Sequence, residues 1–335
     1  MILCAGTGGV GKTSLSAAMG LKIAQKGKKV LVITIDPAQR LKSALGIEQG
    51  CEQVFKVKEF ENGGEFYACQ IDAKKTFDEF VDKVSPSLDA ASELKKNLLY
   101  RRLSEGLQGS QEFTSLEKFL MEYQSKQYDL IVVDTPPSQH ALDFLEAPKK
   151  LYKLFDESIL RWFVSEADGE SSFLKKVLQS GTRKAFGVLD RLTGKEFVDA
   201  IYNFFGSMRF VGPALVEDMR KVDKLLHSKE VGFVLVTSFD SRKISQARDF
   251  FRSLKKKKYN FIGVVVNRAF VSMDPPSQEF MGIYEQFNEY YKKENELLND
   301  LIGEFSSESL EIKFVQEDLK VQSSEDGILE LSKML

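Results

Sequence analysis

The sequence has three cysteines in 335 residues, Cys4, Cys51 and Cys69, scattered and odd in number and with no C-x-x-C pair. That excludes a zinc ribbon or a dithiol redox motif and fits a reduced, cytosolic compartment. No apolar run is long enough to span a bilayer. Only Met1 to Ala5 precede a glycine-rich loop, which leaves no room for a signal peptide ahead of it. Those residues are short for a central strand with a lead-in, so a native start upstream is expected. An excess of either charge is missing too: 47 Lys and Arg against 49 Asp and Glu give a net −2, and no global field draws the chain to nucleic acid or anionic lipid. The two histidines, His140 and His227, form no nucleophile constellation, and no internal repeat or low-complexity tract points to a solenoid or a disordered tail. What remains is 43% hydrophobic and 29% charged residues, an ordinary globular composition with length for one large α/β domain or two smaller ones.

The start of the chain carries the strongest signal. An apolar run from Ile2 to Ala5 is followed by Gly6, Thr7, Gly8, Gly9, Val10, Gly11, Lys12 and Thr13, which match G-x-x-x-x-G-K-[ST], then by Ser14 and a helical pattern from Leu15 to Gln25. Strand, loop and helix in that order are the context the motif needs. Glycines let backbone N–H groups turn inward around phosphate oxygens, and the positive end of the following helix faces the same anion. Lys12 neutralises phosphate charge, and the Thr13 hydroxyl is available to Mg²⁺. A mere glycine turn ahead of a surface helix leaves Lys12 unexplained.

Lys26, Gly27, Lys28 and Lys29 stop that helix, and Val30 to Ile35 reads as a buried parallel strand ending at Asp36. Ligands of open parallel sheets sit outside the carboxyl ends of the strands, so Asp36 either faces the phosphate loop or is a solvated strand end. Tyr128 to Val133 is a second buried strand, and Asp134 at its end is the Walker-B arrangement, a carboxylate for Mg²⁺ or its water. Thr135 to His140 follows as a turn placed to sense a γ-phosphate. Strands at Val231 to Val236 and Phe261 to Val266 are joined by a helix from Ser241 to Leu254, closed by the solvated run Lys255 to Lys258. Asn267 stands where it can hydrogen-bond a base edge, with Arg268 beside it. Glu311 to Phe314 adds a short strand and Gly327 to Leu335 a closing helix. The alternation predicts an α/β fold with a mostly parallel central sheet and helices on both faces, as a single domain over 1–335. Helical stretches at 73–127 and 149–227 interrupt it as an inserted helical subdomain. The second stretch is rich in large apolar residues, among them Phe155, Trp162, Phe163, Phe204 and Phe210, which either fill the subdomain's own core or line a groove for a client. Within it, Ser165 to Ser172 reads as a loop.

Taken in order, GTGGVGKTS, TIDPAQRL, YACQIDAKKTFDEF, LLYRRLSEGLQGSQEF, YDLIVVDTPPSQHALDFLEAP and IGVVVNR resemble the arsenite-pump ATPase (ArsA) family over nearly the whole chain, its bacterial single-domain members above all. The family includes the eukaryotic ATPase that delivers tail-anchored proteins to membranes. The resemblance implies a P-loop NTPase of the deviant-Walker (SIMIBI) type, a cytoplasmic homodimer that hydrolyses ATP with Mg²⁺ and carries a helical subdomain above its nucleotide face. It implies that Lys12 and the loop from Gly6 to Ser14 bind the phosphates, that Thr13 and Asp134 hold Mg²⁺, that Asp36 orients the attacking water, and that Asn267, next to Arg268, reads adenine. TIDPAQRL becomes the first switch and DTPPSQH the second. Phosphoryl transfer is mostly positioning and charge neutralisation, so such a set suffices for slow hydrolysis.

Two departures shape what is expected of this chain. The family form G-K-G-G-x-G-K-T has a lysine that reaches across the dimer where this chain has Thr7; Arg40 and Arg268 are candidate substitutes, or each makes only a surface salt bridge. There is also no C-x-x-C for a zinc-bridged dimer and no cysteine cluster for arsenite, and Cys51 and Cys69 read as buried structural thiols. No second P-loop is present, so the chain matches one half of the tandem pump ATPase. Its partner is then a hydrophobic client segment or a membrane transporter subunit, with neither nucleic-acid binding nor direct membrane insertion. The alternative is a partitioning-type nucleotide-dependent switch or scaffold that hydrolysis only resets. Against a membrane-seeking version of it, the apolar tail of Ile328, Leu329, Leu331, Met334 and Leu335 lacks the cationic face of an anchor. A P-loop metabolite kinase needs an arginine-rich lid that the sequence does not offer.

Overall fold

Apolar runs without polar alternation form strands that must be covered on both faces, and here they become the middle of a sheet. The computed structural model describes residues 1–35, 45, 54–101, 110–154, 195–269, 281–306, 310–316 and 325–335. Their elements run β1 (Ile2–Gly6), α1 (Lys12–Ala24), β2 (Lys29–Thr34), β3 (Val54–Glu59), β4 (Glu65–Gln70), α2 (Ala73–Val84), α3 (Leu88–Lys96), α4 (Ser110–Ser125), β5 (Leu130–Asp134), α5 (Ser138–Leu154), α6 (Lys195–Leu226), β6 (Gly232–Ser238), α7 (Ser241–Lys256), β7 (Phe261–Ala269), α8 (Met281–Ser306), β8 (Glu311–Gln316) and α9 (Glu325–Met334). They fall into two compact units, one of Met1–Ile71, Glu122–Leu145 and Leu225–Leu335, the other of Asp72–Met121 and Glu146–Lys224.

The first unit is built on a sheet of order β3-β4-β2-β5-β1-β6-β7-β8. The described pairings are parallel except that of β3 with β4, so the mostly parallel α/β architecture expected from the pattern is what forms. β1 sits between β5 and β6, with Cys4 opposite Asp134 and Gly6 opposite Val236. Thr34 of β2 also pairs with Asp134, and Ser238 of β6 with Asn267 of β7. The register therefore brings the carboxyl ends of these strands to one edge around the loop that leaves β1.

The packing of α1 explains its small residues. Ala17, Ala18, Leu21 and Ala24 are buried in a cluster with Val30, Val32, Phe66, Val132 and, from the far end of the chain, Ile328 of α9. A Cβ on Gly20 would lie 2.5 Å from Val32 Cγ2, so the helix meets the sheet more closely than any other residue allows. Leu15 belongs instead to a second cluster with Val10, Val234, Val236, Val265 and Val315. The apolar tail thus packs on the core. α1 begins at Lys12, a turn earlier than the apolar periodicity indicates, because its first turn belongs to the loop motif.

The second unit is helical. Asp72 accepts a hydrogen bond from Lys75 N (2.9 Å) to cap α2, and Ser87 from Ala90 N (3.2 Å) to cap α3. Phe77 stacks on Tyr100 at 5.2 Å, and Phe113 meets the edges of Phe77 and Phe80. Phe204 of α6 is also buried. Phe155, Trp162, Phe163 and the 165–172 segment lie outside the described residues, as does the side chain of Phe210. Among the described residues no helix is long and apolar enough to cross a membrane.

Candidate functional site

The loop between β1 and α1 is built where backbone meets backbone. A Cβ on Gly6 would lie 2.0 Å from the carbonyl oxygen of Val236 on β6, so only glycine lets β1 pass into the loop. Gly11 stands at the N-cap of α1 with φ 84° and has no side chain to cap the helix, and the first turn carries no acid. A helix start with no capping side chain at its N-cap and no acid in its first turn has the chemistry of a phosphate cradle.

Around this loop the predicted residues converge. Lys12 is buried, its Nζ donating to Thr7 O at 2.9 Å. Thr13 Oγ1 donates to Asp134 Oδ2 at 2.5 Å, and Thr34 Oγ1 donates to the same oxygen at 3.3 Å. A hydroxyl and a carboxylate in contact beside the loop are an all-oxygen donor pair that fits Mg²⁺, and the uncapped helix end fits a triphosphate. Asn267 is buried and its Nδ2 donates to Val10 O at 2.8 Å, so β7 pins the loop just before Gly11. Thr7 is buried, Gly8 faces Pro137, Gly9 has φ 78°, Val10 lies in the core, and Ser14 is half-buried on α1. Beneath the loop, burial pushes the Cys4 thiol up to about 12, well out of the reactive range.

Other expectations fare differently. Asp36, Arg40 and Cys51 lie outside the described residues, as does the side chain of His140. Arg268 has φ 53°, is exposed, and makes no hydrogen bond or ion pair among the described residues. Cys69 is buried and forms no disulfide among the described residues, as a structural thiol should.

Three contacts were not specified by the sequence pattern, although Thr34 and Thr135 lie in segments it singled out. Thr34 reaches Asp134 because the two residues share a register line. Thr135 Oγ1 donates to Cys4 O at 2.9 Å and ties the segment after β5 to β1. Lys243, in the first turn of α7, donates from Nζ to Gly8 O at 2.9 Å, across 235 residues of sequence. The strand-end positions of Thr34 and Thr135 were a usable signal; the reach of Lys243 had none.

Comparison with known proteins adds a family. The family model described as "Anion-transporting ATPase" matches residues 1–310. An "ATPase GET3" from Malassezia globosa is 32% identical over 152 residues, covering 45% of this chain and 43% of that protein. "Putative arsenical pump-driving ATPase 1" and "Putative arsenical pump-driving ATPase 2" from Aquifex aeolicus are 22% and 25% identical over 297 and 301 residues. These matches cover 88% and 87% of this chain, and 69% and 86% of the respective relatives. A phosphate loop on the central strand, a strand-end aspartate in contact with the loop threonine, and a family match over nearly the whole length lead to one conclusion: the chain belongs to the ArsA family of anion-transporting ATPases, with the P-loop NTPase fold.

Proposed function

We propose that this ATPase works as a Mg²⁺-dependent switch in which Gly6 to Ser14 hold the triphosphate, Thr13 and Asp134 hold the metal, and Asp36 orients the attacking water. Asn267, with Arg268 next to it, lies on the base side. The observation that carries this reading is the 2.5 Å hydrogen bond from Thr13 Oγ1 to Asp134 Oδ2. It brings a loop hydroxyl and a strand-end carboxylate together beside an uncapped helix N-terminus. When bound, Mg²⁺ neutralises phosphate charge as it develops. Lys12 exchanges the Thr7 carbonyl for a phosphate oxygen. Thr34 holds the Asp134 carboxylate in place, and Thr135 anchors the second switch segment to β1, so that the residues after it respond to the γ-phosphate. The chain's own share of catalysis is positioning and charge, with no covalent intermediate.

The same reading extends to a cytoplasmic homodimer closed by nucleotide and coupled to a hydrophobic client or a membrane transport partner. The names of the Aquifex relatives support the transport partner. The helical subdomain of 73–127 and 149–227 is the part assigned to that coupling. One observation favours the partitioning-type switch as a second reading: Thr7 is 1% exposed, so position 7 offers no side chain to a second copy.

Turnover assays with and without Mg²⁺, together with light scattering of wild-type and Asp36→Asn protein in ADP and in ATP, test both readings. Turnover should require Mg²⁺ and fall about a hundredfold or more in Lys12→Ala and Asp36→Asn, and Asp36→Asn should form a dimer in ATP but not in ADP. Unchanged turnover in both variants overturns the residue assignment. A monomer in every condition, despite nucleotide binding, overturns the dimer and points to a switch activated by a partner.

A further inference from the structure

We infer that Lys243 is the second cation of the phosphate site, a positioning residue that acts through the Gly8–Gly9 peptide and is supplied by α7 from the same chain. The inference rests on the nucleotide reading above and adds to it a residue that neither the loop motif nor the Walker-B strand contains. Its basis is geometry. α7 starts directly after β6, the strand that pairs with β1. Asp240 caps it by accepting from Lys243 N at 3.0 Å, which sets the first turn. From that turn the Lys243 side chain extends to Gly8 O at 2.9 Å, while Lys12 Nζ holds the preceding carbonyl, Thr7 O, also at 2.9 Å. Two ammonium groups therefore occupy adjacent carbonyls at the crown of one loop.

Lys243 makes no ion pair among the described residues, although its side chain is partly buried. A cation held at that carbonyl raises the local potential at a site whose backbone already favours an anion. An ammonium on the Gly8 carbonyl also polarises the peptide, which makes the Gly9 N–H at its other end a stronger donor. Gly9 has φ 78° and lies within the stretch that the motif assigns to phosphate contact. Gly8 in addition faces Pro137, 3.7 Å from the position of a Cβ, so the lysine steadies the part of the loop against which the second switch segment rests. The Thr13–Asp134 pair lies toward β5, whereas Lys243 comes from the β6 side. A triphosphate carries more charge than a diphosphate and gains more from this extra cation.

The test compares Lys243→Gln, which keeps a donor for Gly8 O but drops the charge, with Lys243→Arg, which keeps both. Affinities for ADP and for a non-hydrolysable ATP analogue are measured by calorimetry, together with ATP turnover and thermal melting. The inference expects Lys243→Gln to melt like wild type, to lose about tenfold in affinity for the triphosphate and only two- to threefold for ADP, and to turn over more slowly. Lys243→Arg should recover most of the loss. Equal weakening of both nucleotides, or wild-type affinities in Lys243→Gln, overturns the inference. Lys12→Ala serves as the control: if it binds ADP and the analogue as wild type does, the nucleotide reading itself fails and this inference with it, whereas its loss beside an unchanged Lys243→Gln removes only the role of Lys243.

Discussion

Gly11 meets two constraints at once. Its φ of 84° is costly for any residue with a Cβ, and a Cβ there would lie 2.4 Å from Asn267 Nδ2, the group that holds Val10 O. Gly11→Ala is expected to destabilise the protein by about 2–3 kcal/mol and to weaken nucleotide binding, because the loop and Asn267 cannot both stay in place. Placing Gly11→Ala on an Asn267→Ala background removes the clash but not the backbone strain. The further cost of the substitution should fall there to about 1–2 kcal/mol, as a double-mutant cycle in urea would read. At this scale much of the site was legible in the residues themselves. Gly11, Lys12, Thr13 and Asp134 are read directly because their chemistry is local to a loop or a strand end. The reach of Lys243 was not, and the strand-end position of Thr34 was a signal without a partner, because such contacts depend on which strands become neighbours and no spacing along the chain encodes that.

Elements tell a similar story of local pattern against tertiary placement. β1, β2, β5, β6 and β7 are apolar runs and were legible as buried strands. β3 was not, since Lys56 and Lys58 flank a register irregularity on an edge strand where Lys56 pairs with Glu65 at 2.5 Å. α8 also gave no clear stripe: it buries Leu298, Leu301 and Phe305 near its end, and many of its earlier residues are polar or exposed. In the helical unit, Glu117 of α4 has no exposed surface and faces Asp218 and Lys221 of α6 and Lys83 of α2. Burial, followed by the charge of Asp218, pushes its carboxyl up to about 7 against the opposing pull of the two lysines. The folded unit thus keeps a proton that the unfolded chain releases near 4.5. This contribution to stability is fully present below that pH, falls as pH rises toward 7, and is level above it. Its full range is about 3 kcal/mol. Glu117→Gln should leave stability at pH 4.5 nearly unchanged and raise it at pH 8 by about 1–3 kcal/mol. Urea unfolding of both proteins at the two pH values reads this, and an equal difference at both would count against a buried acid.

For the molecule as a whole, the stability of the nucleotide site depends on its most distant residues. Ile328 of α9 is 1% exposed in the cluster that seats α1. Ile328→Ala should cost about 2–4 kcal/mol and lower the melting temperature by several degrees, although the residue touches no part of the loop. A shift in the urea midpoint at constant slope is the expected signature, and an unchanged midpoint would show that α9 is dispensable to the core. The central position of β1 bears on how the chain is made. This strand leaves the ribosome well before one of its two neighbours, β6, which follows about 230 residues later. At roughly 5–20 residues per second, β1 has an unpaired edge for on the order of ten to fifty seconds of synthesis. Its apolar residues and the glycines beside them are then open to chaperones and to mispairing with other nascent chains. Codon-paced synthesis rate, more than the stability of the finished fold, is therefore the quantity that should govern how much active protein a cell recovers.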